Sequence, residues 1–416
     1  MAQGFIARLF GRREAPRALP RPDTAPRTTV RRTPWPEGTE RALGTPLQPS
    51  VVYGAESPDA LDAIYEGRAP GYTYAREAHP NASVLAAKID ALEGATGGLV
   101  TGSGMAAVAA ALLGLVRAGD HVVGGDQLYG RSLRMMTDDL PRLGVETTLA
   151  DPTDAAAIEA ALRPETRAIL IEVVSNPTLR VADLDGIARL AGPRGITLIV
   201  DNTFTTPRAI RPFRHGADIV IHSVTKLLAG HSDATLGYVA AKDPAHREAM
   251  RVFATTLGLT ASPFDCWLAE RGMHSFELRY DRAEATARAL ADRLDGLPGV
   301  ERVIYPGRDD HPDRARAAAL LGARTGNMVT FQIAGGRPAA NALVRAAERI
   351  AFAPTLGDVA TTLSHPATSS HRGLSPEGRA ALGLSEGSFR VSVGVEPADL
   401  LLGEFEAAIR AAAAAG

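Results

Sequence analysis

Two rhythms of apolar and polar residues divide this chain. Between about 97 and 240, short apolar runs stop abruptly at polar residues. Val122-Val123 follows His121, Ala168 to Ile171 ends at Glu172, Ile196 to Val200 ends at Asp201-Asn202-Thr203, and Ile219 to Ile221 ends at His222-Ser223-Val224-Thr225-Lys226. Runs of this length read as strands buried on both faces. The helical stretches between them predict a mostly parallel sheet covered on both sides. Upstream, Asn81 is placed to cap a helix with Leu85, Ile89 and Leu92 on one face and Gly94 as its stop, after an extended segment carrying Tyr74 and Arg76.

Beyond about 250 the pattern changes. A helical region over roughly 264–295 leads to strand candidates at Val300 to Tyr305, Met328 to Ile333 and Phe389 to Val395. In the last of these, Arg390 falls on the face opposite Phe389 and Val391. With the alanine-rich final helix, this predicts a smaller α+β domain. The expected organisation is therefore an N-terminal arm over 1–70, a large α/β domain over 71–265 and a small α+β domain over 266–416.

Charge and cysteine content narrow the setting. A net charge of −2 and a pI near 6.6 give no reason to expect a nucleic-acid or membrane partner, and no apolar run reaches membrane-spanning length. The single cysteine, Cys266, excludes an internal disulfide framework and fits a reducing compartment, so a cytoplasmic protein is expected. The first 35 residues hold eight arginines against Glu14 and Asp23, which reads as a disordered arm; a transit peptide is the alternative, disfavoured because serine is absent there. No His/Cys spacing matches a metal site, and His222, His231, His365 and His371 read as hydrogen-bonding residues.

Carboxyl ends of parallel strands are where ligands sit in open α/β sheets. Here two adjacent strand ends would bring together the Asp201 carboxylate, the Ser223 and Thr225 hydroxyls and the Lys226 amine. Pyridoxal phosphate needs an amine for its aldehyde, an anion for its ring nitrogen and donors for its phosphate. The chain has only Lys88, Lys226 and Lys242 among its 45 basic residues. Lys88 falls on the polar face of a helix and Lys242 in a polar turn, which singles out Lys226. The turn Thr101-Gly102-Ser103-Gly104 opens a buried helix, whose free amides and dipole favour a phosphate. Gly102-x-Gly104 with Ala107 also half-matches a dinucleotide fingerprint, so a nicotinamide oxidoreductase is the rival. Its ribose-binding acid is missing, because Asp120 precedes its strand instead of ending it.

From about residue 45 onward the chain resembles the pyridoxal-phosphate (PLP) enzymes of cysteine and methionine metabolism, the transsulfuration group of cystathionine γ-synthase, cystathionine lyases, methionine γ-lyase and O-acylhomoserine sulfhydrylases. The likeness rests on Tyr74-Ala-Arg76, Ser103-Gly-Met-Ala-Ala107, Tyr129-Gly130, Glu172 to Pro177, Asp201 to Pro207, Ser223-Val-Thr-Lys226, Gly230-His231 and Phe389 to Gly394. It implies PLP fold type I, aspartate-aminotransferase-like, in a homotetramer built from dimers that share active sites.

Carried over residue by residue, the resemblance assigns catalysis to Lys226 and Tyr129, with Lys226 condensing with the cofactor and moving substrate protons. Tyr129 would stack on the ring, Asn176 contact its oxygen and Asp201 pair with its nitrogen. Gly104, Met105, Ser223 and Thr225 would hold the phosphate, joined by Tyr74 and Arg76 from a neighbouring subunit. Arg390, with Tyr129 and Thr361, would bind substrate. The sequence departs from the family at Ala75, at Glu172-Val-Val, at Arg131 and at Ala360. The reaction expected is γ-replacement or γ-elimination on cystathionine or an O-acylhomoserine. The stretch from His365 to Leu374 favours it over β-elimination, and methionine γ-lyase, O-acylhomoserine sulfhydrylase and cystathionine β-lyase activities are the alternatives.

Overall fold

The computed structural model describes residues 43–415, and the compact unit begins at Leu47. The Arg-rich first 35 residues lie outside the described residues.

Seven strands form the large sheet: β1 (Leu99–Thr101), β2 (His121–Gly125), β3 (Glu146–Ala150), β4 (Thr166–Glu172), β5 (Thr197–Asp201), β6 (Ile219–Ser223) and β7 (Gly237–Ala241). Their order is β1-β7-β6-β5-β4-β2-β3. The expected apolar runs are its central strands, paired in parallel from β2 to β6, and β7 is antiparallel to both β1 and β6. Apolar cores lie on both faces: one contains Ile169, Ile171, Leu198 and Val200, the other Ala168, Leu170, Ile199 and Ile221. Strands covered in this way cannot alternate with polar residues, which explains their continuous apolar text.

Helix α1 (Pro58–Tyr65) lies within the segment expected as an arm, where Tyr53 N also donates to Thr73 O and Ala75 N to Val51 O. Helix α2 (Pro80–Glu93) buries Leu85 and Ile89 and stops at Gly94 with φ 73°, as the sequence predicts. Its cap is different. His79 caps it, with Nδ1 accepting from Ala82 N at 3.2 Å, because Pro80 supplies the preset first helical residue. Asn81 lies one residue inside, and its Oδ1 accepts from Gln48 N at 2.9 Å.

Five strands make the small sheet: β8 (Val300–Ile304), β9 (Met328–Ile333), β10 (Ala351–Phe352), β11 (Thr362–Ser364) and β12 (Ser388–Ser392), in the order β10-β11-β12-β9-β8. Phe331 on β9 stacks with Phe389 on β12 at 5.6 Å and meets Phe405 edge-on at 6.2 Å. Burying each such ring contributes about 1.5–3 kcal/mol. This anchors the alternation of β12, so that Phe389 and Val391 face the core and Arg390 the opposite side.

The helical region over 264–295 is two helices, α3 (Pro263–Met273) and α4 (Phe276–Leu294). Phe276 and Tyr280 of α4 belong to the core beneath Lys226, whereas Ala287, Leu290 and Leu294 belong to the core of the small sheet. Among the described residues no helix is long and apolar enough to cross a membrane, and no group of three or more His, Cys, Asp or Glu could hold a metal ion.

Candidate active site

Glu172, Asp201 and Ser223 end β4, β5 and β6, and Lys226 follows three residues after β6. Asp201 Oδ1 accepts from Thr203 N at 2.9 Å, a tight turn made possible by an aspartate two residues before the donor. Burial raises the Asp201 pKa, opposed by hydrogen bonds from Thr203 and by His222. Below it, Glu93 reaches from α2, its Oε1 accepting from Asn202 Nδ2 at 2.8 Å and pairing with His222 Nε2 at 2.5 Å.

Lys226 Nζ donates to Thr355 Oγ1 at 3.4 Å. Burial, then the Arg390 charge, lower its pKa, favouring the free amine a nucleophile needs. The turn after Lys226 is fixed by the buried Arg279, which donates to the carbonyls of Leu227 at 2.9 Å, Leu228 at 3.0 Å and Gly272 at 3.0 Å. Gly230, at φ 74°, is required here, because a Cβ would lie 1.9 Å from Arg279 Nη1.

A helix over Gly104–Leu113 starts beside Ser223. Ser103 Oγ accepts from Ala106 N at 3.1 Å, so the amides of Gly104 and Met105 are the unshared donors of its first turn. A Cβ on Gly104 would sit 2.7 Å from Ser223 Cβ and 2.9 Å from its Oγ. Absence of that atom leaves a cradle of two amides and a hydroxyl, which fits a phosphate.

Arg390 is buried, and its Nη1 donates to Asn176 Oδ1 at 2.7 Å, its Nη2 to the Thr355 carbonyl at 2.7 Å. Its Nε is buried with no partner among the described residues. A buried, unused donor on a guanidinium is a strong attractor for a carboxylate. Burial pushes its pKa down to about 10, with Tyr129 acting in the opposite sense, so the group stays charged at neutral pH. Tyr129 is exposed, and its amide donates to Glu172 Oε1 at 2.6 Å. Gly130 packs against the Ser370 carbonyl.

Four expected residues stand apart. Tyr74 and Arg76 are exposed, Arg76 lying 5.4 Å from the Tyr74 ring and donating to Thr255 O at 3.2 Å. Thr225 exchanges hydrogen bonds with the backbone of Leu236, at 3.1 and 2.9 Å. Thr361 is drawn to Glu396, its hydroxyl donating to Oε2 at 2.8 Å while accepting from Gly394 N at 2.9 Å. The residue of that loop that does reach Lys226 and Arg390 is Thr355, which no local pattern marks. Thr203 had a signal, the Asp-x-Thr spacing.

The sequence profile of the Cys/Met metabolism PLP-dependent enzymes matches residues 28–410. The chain belongs to that family. A cystathionine beta-lyase of Bacillus subtilis is 37% identical over 374 residues, covering 90% of this chain and 93% of its own. An L-methionine gamma-lyase of Pseudomonas putida is 37% identical over 366 residues, covering 88% and 90%. The crystal structure of a cystathionine gamma synthase from Xanthomonas oryzae, in complex with aminoacrylate and cysteine, superposes with TM-score 0.85 at 34% identity over 90% of this chain and 95% of that one. As a member of this family the chain is a PLP-dependent enzyme, and the cradle at Gly104, the anion at Asp201 and the amine at Lys226 fit that cofactor.

Proposed function

We propose that this enzyme catalyses γ-elimination or γ-replacement on cystathionine or an O-acylhomoserine. The observation that supports an amino-acid substrate is the bridge through Thr355, whose hydroxyl accepts from Lys226 Nζ and whose carbonyl accepts from Arg390 Nη2, while the choice of γ-chemistry rests on the stretch from His365 to Leu374. The bridge joins the proton-moving amine to the group that takes the α-carboxylate of an amino acid.

Pyridoxal phosphate, when bound, supplies the electron sink for a carbanion at Cα. Asp201 would balance its ring nitrogen, Asn176 would contact its ring oxygen, and Gly104, Met105 and Ser223, with Thr225 after a turn of its hydroxyl, would hold its phosphate. Lys226 Nζ takes the α-proton and then moves a β-proton, the second transfer that distinguishes γ- from β-chemistry. Tyr129 would cover the ring, with its hydroxyl within reach of the leaving group. Tyr74 and Arg76, exposed here, complete the phosphate site of a neighbouring subunit in a cytoplasmic homotetramer. The large domain over 71–265 carries the cofactor and the small domain over 266–416 carries Arg390.

Arg131 is exposed and makes no ion pair among the described residues, which suits a distal carboxylate such as that of cystathionine or a succinyl ester. Similarity to the Bacillus beta-lyase keeps β-elimination as the second reading. Purified enzyme offered cystathionine and O-acylhomoserines should release 2-oxobutanoate from both. Pyruvate as the main product from cystathionine would establish the β-lyase reading instead.

A further inference from the structure

Glu172 has no part in the chemistry above, although it ends the strand beside Asp201. Strands β4 and β5 are parallel and place Glu172 directly opposite Asp201, so the two carboxyl groups leave the sheet on the same face, one strand spacing apart. Neither carboxyl forms an ion pair among the described residues. The groups acting on Glu172 are Asp201 from β5 and the Tyr129 amide from the loop after β2; Asp201 faces Thr203 and, from β6, His222. Both residues are half-buried, and two adjacent carboxylates in one cleft repel each other, which favours a proton held on one of them.

The supports decide which group keeps the proton. Asp201 accepts from the amide and the side chain of Thr203 and lies near His222, all of which favour its anion. Glu172 has one contact, from Tyr129 N to Oε1, which a neutral carboxyl satisfies equally well through its carbonyl oxygen. Burial and then the Asp201 charge push the Glu172 pKa well above the usual carboxylate range.

We propose that Glu172 works as a neutral carboxylic acid, accepting the Tyr129 amide on one oxygen and donating its proton toward Asp201 from the other. It is a positioning residue: it leaves one negative charge for the ring nitrogen and ties that charge to the residue covering the ring. The inference rests on the PLP reading above. Glutamine reproduces both bonds, with Oε1 accepting and Nε2 donating, whereas alanine makes neither.

The test compares full-length wild type, Glu172→Gln and Glu172→Ala. Infrared difference spectra of the cofactor-free proteins at neutral pH should show a protonated-carboxyl band that Glu172→Gln removes. Titration with pyridoxal phosphate should give Glu172→Gln an affinity within about twofold of wild type and the same pH profile of the visible band. Glu172→Ala should bind about tenfold more weakly, the loss of one hydrogen-bonded link. An unchanged infrared band in Glu172→Gln, or cofactor binding as poor in Glu172→Gln as in Glu172→Ala, overturns the proposal while leaving the cofactor reading intact. Wild type that takes up no pyridoxal phosphate would remove both. Should Glu172→Ala not fold, the infrared band and the Glu172→Gln titration still decide.

Discussion

Arg390 Nη1 donates to Asn176 Oδ1 at 2.7 Å, and this bond joins the inner strand of the small sheet to the loop that follows β4 of the large one. The guanidinium is thereby held by two bonds, to Asn176 and to the Thr355 carbonyl, while its Nε has no partner among the described residues. Two fixed N–H bonds and one open donor are a geometry that an ammonium group cannot copy.

Arg390→Lys should therefore raise KM for every α-amino-acid substrate by about 10–100-fold, the value of one charge-assisted hydrogen bond of about 1.5–3 kcal/mol. Steady-state kinetics with two substrates of different distal groups checks this. Unequal losses would place Arg390 at the distal end of the substrate instead.

Borohydride reduction in the presence of pyridoxal phosphate should fix the label on Lys226. Lys88 is committed to Glu270 and His274, and Lys242 lies at the surface, 5.7 Å from the Phe213 ring. Peptide mapping that finds the label on either of them would sink the assignment.

Co-expression of Arg76→Ala with Lys226→Ala should restore activity that neither variant has alone. Within one chain Arg76 bonds Thr255 and, among the described residues, no member of the Lys226 cluster, so the phosphate contact proposed for it needs a second subunit. Verified mixed oligomers without activity would show that Arg76 serves its own chain.

Arg131→Ala should raise KM for cystathionine and succinyl esters while leaving substrates without a distal carboxylate nearly unchanged. The group is exposed and makes no ion pair among the described residues, so the protein should fold as before. An equal effect on short substrates would mean that Arg131 acts on Tyr129 and not on the substrate.

His371 adds an acid-side dependence. Burial, then the Arg390 charge, push its pKa down from 6.5 to about 4. Below pH 6.5 the unfolded chain takes up the proton before the folded one does, so the stability this imidazole contributes is complete above that pH and is lost as pH falls toward about 4. The change is on the order of 3 kcal/mol. Urea unfolding at pH 7 and pH 5 should show a smaller drop in His371→Gln than in wild type.

What could be read from the chain followed from where the physical signal was local. The buried strands announce themselves through unbroken apolar runs, and Asp201, Ser223 and Lys226 stand where those runs end. Arg390 was legible because β12 alternates. Thr355 was not, since its contacts with Lys226 and Arg390 span 129 and 35 residues of sequence and depend on the docking of the two sheets. The capping of α2 was misplaced by two residues because Asn81 is the stronger cap by type, while the ring of His79 competes only once Pro80 has set the helix start. Thr361 looked available until Glu396, beyond the end of β12, claimed its hydroxyl.

Helix α4 has 19 residues, a rod of about 28 Å. One end is embedded in the packing beneath Lys226 and the other in that of the small sheet. Force applied at either end is therefore transmitted along a stiff backbone, not dissipated in a linker. Large swings of the small sheet away from the cleft would have to break one of the two sockets, leaving sliding or slight twisting about the helix axis as the motions of low cost. Heat should accordingly melt both sheets together, in one calorimetric transition.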